Sequence, residues 1–174
     1  MYDVAVIGAG VTGAFVARSL VKYNLKVAIL EAQEDVAGGA SRANSGIVHA
    51  GFDALENTLK AKFNVLGNKM MEKVCLELGV KYKKNGSLVI TDSEEGIEGL
   101  EKLIARGKSN GVENLKLLNK EQVKELEPNI SDNVVAGLYA MEGGIVCPYG
   151  LTISAVGNAM DNGATLYTDF ELEK

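Results

Sequence analysis

Residues 2–8, YDVAVIG, form a short apolar run rich in β-branched side chains and closed by glycine. A strand covered by helices on both faces has this texture, because it needs no polar side. The period then changes. Val11, Phe15, Leu20 and Tyr23 recur at helical spacing over 11–24, with the small residues Gly13, Ala14 and Ala17 on the inner side. Residues 25–32, LKVAILEA, return to a continuous apolar run. The order predicts a β-α-β unit with parallel strands. Residues 33–46 are small, polar and glycine-rich, which predicts a loop with at most one helical turn. A long amphipathic helix follows over 56–79, with Leu59, Phe63, Leu66, Met70, Val74 and Leu78 as its apolar face. Gly79 is placed to be its C′ residue.

The texture is different beyond that point. Residues 81–91 predict a strand or a hairpin turning at Asn85-Gly86. Residues 93–111 predict a helix opened by Ser93, with Ile97, Leu100, Leu103 and Ile104 on one face. A short strand over 114–119 leads to a helix over 119–128, capped by Asn119 and stopped by Pro128. Strand signals flank a Glu142-Gly143-Gly144 turn within 133–148; a helix over 149–163 and a strand over 164–173 follow. No internal repeat or low-complexity tract is present. The expected fold class is α/β: a Rossmann-like β-α-β at the start, with a mixed α+β sheet inserted over 81–145.

Composition limits the function. The 174 residues are 47% hydrophobic and 24% charged, an ordinary globular balance. The net charge of −5 and the lack of a basic run argue against nucleic acid or anionic membrane as the main partner. The apolar runs are too short to span a bilayer. The first residues enter a strand without a basic stretch, so they do not read as a signal peptide. Cys75 and Cys147 match no metal-ligand spacing and read as reduced thiols in a cytoplasmic protein; no metal is expected.

Gly8, Gly10 and Gly13 fit G-x-G-x-x-G between the first strand and the first helix. Each glycine has a physical task. Gly8 lets the chain turn out of the strand, Gly10 lets a pyrophosphate approach the backbone, and Gly13 lets the helix pack close to the sheet. Val11 and Thr12 open the helix, whose free N–H groups and positive dipole end suit phosphate oxygens. Glu31 ends the second strand at the interval, roughly twenty residues, where an acid accepts from an adenosine ribose. It disfavours a 2′-phosphate, hence NADP, and Ala32 beside it completes the expected contacts. The competing reading is a glycine-rich turn that binds nothing. NAD and FAD both use such a unit. A nicotinamide enzyme would continue its α/β alternation, whereas here the chain runs into GGASRANSGIVHAG at 38–51.

These stretches carry a resemblance. DVAVIGAGVTGAFVARSL and VAILEA look like the N-terminal fingerprint of FAD-dependent oxidoreductases of the D-amino-acid oxidase type, with Ala17 in its expected place. GGASRANSGIVHAG is similar to the family's second FAD-contacting segment. NSGIVHAG followed by TLKAKF resembles most the L-2-hydroxyglutarate dehydrogenases and the anaerobic-type glycerol-3-phosphate dehydrogenases. The resemblance implies a split FAD-binding domain, with its first segment at 1–79, a substrate-domain segment at 80–145 and a return segment at 146–174. Family enzymes are much longer, and their C-terminal half is absent here. The chain therefore reads as an N-terminal portion, expected to hold FAD poorly alone and not to turn over. The implied activity is oxidation of a small anionic hydroxy compound by hydride transfer to flavin N5, with glycerol 3-phosphate first. A 2-hydroxyacid such as L-2-hydroxyglutarate, or an amine or amino acid, is the alternative substrate. An inactive dinucleotide-binding fragment is the alternative outside enzymes. The electron acceptor would be a quinone or a partner electron-transfer protein, with the full-length enzyme cytoplasmic or peripheral at the inner membrane.

Within the second segment, a hydroxyl at Ser41 and a guanidinium at Arg42 suit phosphate and ribityl oxygens. Asn44, Ser45 and Gly46 would let the backbone pass close to the flavin ring. His49 is the only histidine and the candidate catalytic residue. One reading makes it a buried imidazole satisfied by a backbone carbonyl. The other sets it beside the isoalloxazine, where it orients the ring, takes a proton or, as His⁺, stabilises the reduced flavin. A covalent link to it is not implied, because the surrounding motif differs from that of relatives that form one. Glycerol-3-phosphate enzymes often carry an arginine just after this element. Asp53 stands there instead and would repel a phosphate, which raises the 2-hydroxyacid alternative.

Overall fold

The computed structural model describes residues 1–173. In chain order the elements are β1 (Val4–Ile7), α1 (Val11–Leu20), β2 (Val27–Leu30), β3 (Ile47–Val48), α2 (Leu59–Glu77), β4 (Tyr82–Lys83) and β5 (Ser87–Thr91). They continue with α3 (Glu95–Ser109), β6 (Leu115–Asn119), α4 (Lys120–Leu126), β7 (Ala136–Ala140), β8 (Gly144–Val146), α5 (Pro148–Asp161) and β9 (Thr165–Tyr167). Two compact units form, and both cut across chain order. The first gathers Met1–Gly46, Val74–Lys81 and the chain from Val146 onward; the second gathers Ile47–Lys73 and Tyr82–Ile145.

In the first unit β1 and β2 pair in parallel from Val4↔Val27 to Ile7↔Leu30, and β9 adds in parallel beside β2 from Ala28↔Thr165 to Leu30↔Tyr167. This is a Rossmann-type parallel sheet. Helices α1 and α5 meet through small residues: Ala14, Ala17, Ala155 and Ala159 have no exposed surface, and all belong to one core with Val6 and Ile29. Small-on-small contact lets the backbones come close, which is why alanines rather than leucines fill this seam. Arg18 ties the layer together, with Nη2 2.7 Å from Glu77 Oε2 and Nε donating to Asn158 Oδ1 at 3.0 Å.

The second unit holds two three-stranded sheets, ordered β3-β8-β4 and β5-β7-β6. Strand β7 pairs antiparallel with both neighbours, and its Leu138 is fully buried among Phe52, Leu100 and Val112. Helix α4 carries the expected start: Asn119 Oδ1 accepts from Gln122 N–H while Gln122 Oε1 accepts from Asn119 N–H, a complete capping box. It ends at Leu126, short of Pro128. Gly79, at φ +66°, closes α2, and Val80 N–H donates to Cys75 O at 2.9 Å in a Schellman arrangement.

Three expectations are corrected. No hairpin turns at Asn85-Gly86, because β4 and β5 belong to different sheets; Gly86 N–H instead donates to Gly143 O at 2.8 Å. The expected closing strand stops at Tyr167 rather than running through 173. The third concerns α2. Of the six residues read as its apolar face, Leu59, Phe63, Leu66 and Met70 are 70%, 60%, 45% and 60% exposed, while Val74 and Leu78 are half-buried and Leu78 packs on the core of the first unit. The helix turns in a different stripe containing Ala61, Val65, Asn68 and Cys75. Small residues there allow close approach, and the larger side chains are left outside.

Candidate functional site

The glycine-rich turn of the first unit is built as its spacing predicts. Gly8 leaves β1 at φ +92°, with its N–H donating to Leu30 O at 2.8 Å. A Cβ at Gly13 would lie 2.0 Å from Gly8 O, so only glycine lets α1 start this close to the strand. Gly10 is the N-cap, extended at φ −72° and ψ 175°, and has no side chain to cap the helix. The opening N–H groups of an α-helix have no intrahelical partner. Ser41 Oγ accepts one of them, from Val11, at 2.9 Å. A Cβ at Gly10 would come 3.2 Å from that same Oγ. No acidic residue lies in the first turn to oppose an anion.

Glu31 holds the turn from below. Its Oε2 accepts from Ala9 N–H at 2.7 Å and its Oε1 from Gln33 N–H at 3.0 Å. A carboxylate has about four acceptor sites, so two such bonds leave room for a ribose hydroxyl. Thr12 and Ala32, beside these contacts, are exposed.

The loop that follows has more internal structure than its polar composition suggests. Asn44 Nδ2 donates to Ala40 O at 3.0 Å, and its Oδ1 accepts from Gly46 N–H at 2.9 Å, so this side chain holds its own turn. Gly46 sits at φ +65°, and a Cβ there would lie 2.4 Å from Val146 O. The protein's own backbone thus requires glycine at this position. Arg42 and Ser45 are exposed. A pair not foreseen from the sequence is Tyr149 Oη donating to Asp35 Oδ2 at 3.1 Å. That bond, with the negative charge of Asp35, pushes the phenol above its ordinary value, while the charge of Arg42 pulls the other way.

His49 belongs to the second unit. It follows β3 directly, and its side chain is exposed, which removes the buried-imidazole reading. Ile47 pairs with Ile145 across β3 and β8; both are exposed, at 44% and 45%, while Val48 between Ile47 and His49 is buried. Strand alternation therefore puts the Ile47–Ile145 pair and His49 on one open face. The peptide beyond His49 is held from the helices. Asn68 Nδ2 donates to His49 O at 3.1 Å, Asn110 Nδ2 donates to Gly51 O at 3.0 Å and Ala54 O at 2.8 Å, and Arg106 Nη1 donates to Asp53 O at 3.1 Å. Asp53 itself is exposed. Residues 68, 106 and 110 carry no local motif, so only the polar interruption of a helix stripe at Asn68 could have been noticed in the sequence. A cavity of about 80 Å³ bordered by Ala50, Val65, Asn68 and Glu142 is far below ligand-pocket size. Cys75 is buried, and burial pushes its thiol up; Cys147 Sγ accepts from Gly150 N–H at the start of α5. Among the described residues no three His, Cys, Asp or Glu side chains gather as a metal site, and no helix is long and apolar enough to cross a membrane.

Comparison with known proteins places this geometry. Residues 3–174 match the family model described as FAD dependent oxidoreductase (DAO). A glycerol 3-phosphate dehydrogenase of Caloramator mitchellensis is 47% identical over 172 residues, which is 99% of this chain and 36% of that protein. A mitochondrial L-2-hydroxyglutarate dehydrogenase of Dictyostelium discoideum is 39% identical over 139 residues, 78% of this chain and 31% of that protein. Among solved structures, dithionite-reduced L-α-glycerophosphate oxidase from Mycoplasma pneumoniae with FAD bound superposes with a TM-score of 0.92 at 33% identity, covering 97% of this chain and 44% of that one. The chain thus spans less than half of the length of each of these relatives, from 31% to 44%.

Proposed function

Because the chain belongs to the FAD dependent oxidoreductase (DAO) family, we propose that the turn at Gly8–Gly13 binds the pyrophosphate of FAD in a flavin-dependent dehydrogenase of small anionic hydroxy compounds, with glycerol 3-phosphate first. The observation that carries it is the turn itself. Gly10 brings no side chain to the mouth of α1, and a Cβ there would already crowd Ser41 Oγ. The residues fit the group. The N–H groups of Thr12 and Gly13 and the dipole of α1 take phosphate oxygens. Ser41, whose Oγ accepts from Val11, keeps its hydroxyl hydrogen for a phosphate oxygen. Arg42, exposed on the same loop, supplies positive charge. Glu31, steadied by two backbone N–H groups, offers its remaining lone pairs to the ribose. Bound FAD supplies the hydride acceptor, flavin N5. His49 holds or moves a proton at an imidazole nitrogen on the substrate side of the reaction.

Glycerol 3-phosphate is favoured by the 47% identity across nearly the whole chain, above the 39% identity to the 2-hydroxyacid enzyme over a shorter stretch. Asp53 is the observation that supports the second reading, a 2-hydroxyacid such as L-2-hydroxyglutarate. Its carboxylate lies exposed four residues after His49, where a phosphate would meet repulsion. Anaerobic mixing of the FAD-loaded protein at full gene length with each compound separates the two. Faster bleaching of the flavin band by glycerol 3-phosphate than by L-2-hydroxyglutarate is expected. Bleaching by glycine, with neither hydroxy compound active, would overturn both.

A further inference from the structure

Asn68 is the polar member of the inward stripe of α2 that also contains Ala61, Val65 and Cys75. A carboxamide on such a stripe costs free energy unless its N–H groups are taken. Nδ2 has two hydrogens and two acceptors, His49 O at 3.1 Å and Glu142 O at 2.8 Å. Glu142 is itself anchored, with Lys84 Nζ 2.5 Å from its Oε2 and Asn114 Nδ2 donating to its Oε1 at 2.9 Å. The carbonyl of His49 is therefore tied through one side chain to a fixed turn. Beyond it, Ala50 is buried and the carbonyls of Gly51, Asp53 and Ala54 are held from α3. His49 is nevertheless exposed, and strand alternation puts it on the open face with Ile47 and Ile145. An exposed side chain on a peptide held this closely is a presented group.

We propose that Asn68 is a positioning residue for His49: by clamping the His49 carbonyl to the Glu142 turn it fixes the direction in which the imidazole leaves the sheet. The role at the flavin rests on the reading of His49 given above; the clamp itself does not. Because His49 is the only histidine, labelling histidine with ¹³C at the carbonyl gives a single NMR resonance from this peptide. Asn68→Asp keeps the shape but cannot donate, and Asn68→Ala serves if the first variant does not fold, as judged by circular dichroism. The His49 carbonyl resonance is expected to shift and broaden in either variant. In the FAD-loaded protein, His49→Ala is expected to move the flavin absorption bands and reduction potential, and the Asn68 variants to move them in the same direction. An unmoved carbonyl resonance would overturn the clamp. A moved resonance with flavin bands and potential like the wild type, while His49→Ala changes them, would overturn the positioning role. Flavin properties unchanged in His49→Ala itself would remove His49 from the flavin and the positioning role with it.

Discussion

Gly13 and Gly10 lie three residues apart yet answer different needs. At Gly13 the need is internal: the missing Cβ makes room for Gly8 O, and no ligand is involved. Gly13→Ala is expected to destabilise the folded protein by about 1–3 kcal/mol, the usual cost of overpacking. Urea unfolding checks this, and an unchanged midpoint would contradict the close start of α1. At Gly10 the added atom would crowd only the Ser41 hydroxyl, at 3.2 Å, on a side chain that can shift, so the stability cost is smaller than at Gly13 and ligand binding carries the larger effect. Glu142 gives a pH signature at the same scale. The hydrogen bond from Lys84, aided by one from Asn114, holds its carboxyl below the ordinary value of 4.5. A depressed carboxylate contributes stability above its unfolded value and loses it as pH falls through the folded one. The Lys84 ammonium is raised by the same bond above 10.5, so its share persists through neutral pH and is lost only in strong alkali. For a pair this exposed the contribution is at most about 1 kcal/mol. Lys84→Met is therefore expected to be slightly less stable at pH 7, with the gap closing below pH 4.5. A gap constant through the acid range would mean that the pair does not carry it.

Elements were legible where their cause is local. The β1-α1-β2 unit shows because strand and helix periods alternate within thirty residues, and α4 because its start at Asn119 and its stop before Pro128 are both marked within ten residues. The Asn85-Gly86 turn misled because its dipeptide matches a hairpin, while the strands after it pair with segments some fifty residues away. Helix α2 misled for a different reason. It carries two stripes, one of Leu59, Phe63, Leu66 and Met70 and one of Ala61, Val65, Asn68 and Cys75, and period alone cannot rank them. The smaller stripe packs closely and finds partners for its amide, so it goes inside. Phe63→Glu should therefore leave the unfolding free energy within about 0.5 kcal/mol of wild type, as for surface substitutions. A loss of about 2 kcal/mol or more would show that face to be buried.

At the scale of the whole molecule, each unit is assembled from segments far apart in sequence. The parallel sheet of the first unit is completed by β9, which comes more than a hundred residues after β2. That pairing is invisible to any local pattern. The glycine fingerprint with Glu31 was readable because its parts are close in sequence. The clamps on the His49 peptide were not, since their donors at 68, 106 and 110 arrive from two separate helices. The central claim is that the mouth of α1 holds FAD, and flavin fluorescence quenching during titration of the protein at full gene length with FAD tests it most directly. The expected result is saturable quenching, with Gly10→Ala raising Kd at least about tenfold, equivalent to about 1.4 kcal/mol. Quenching that does not saturate, or an equal Kd in Gly10→Ala, would contradict it.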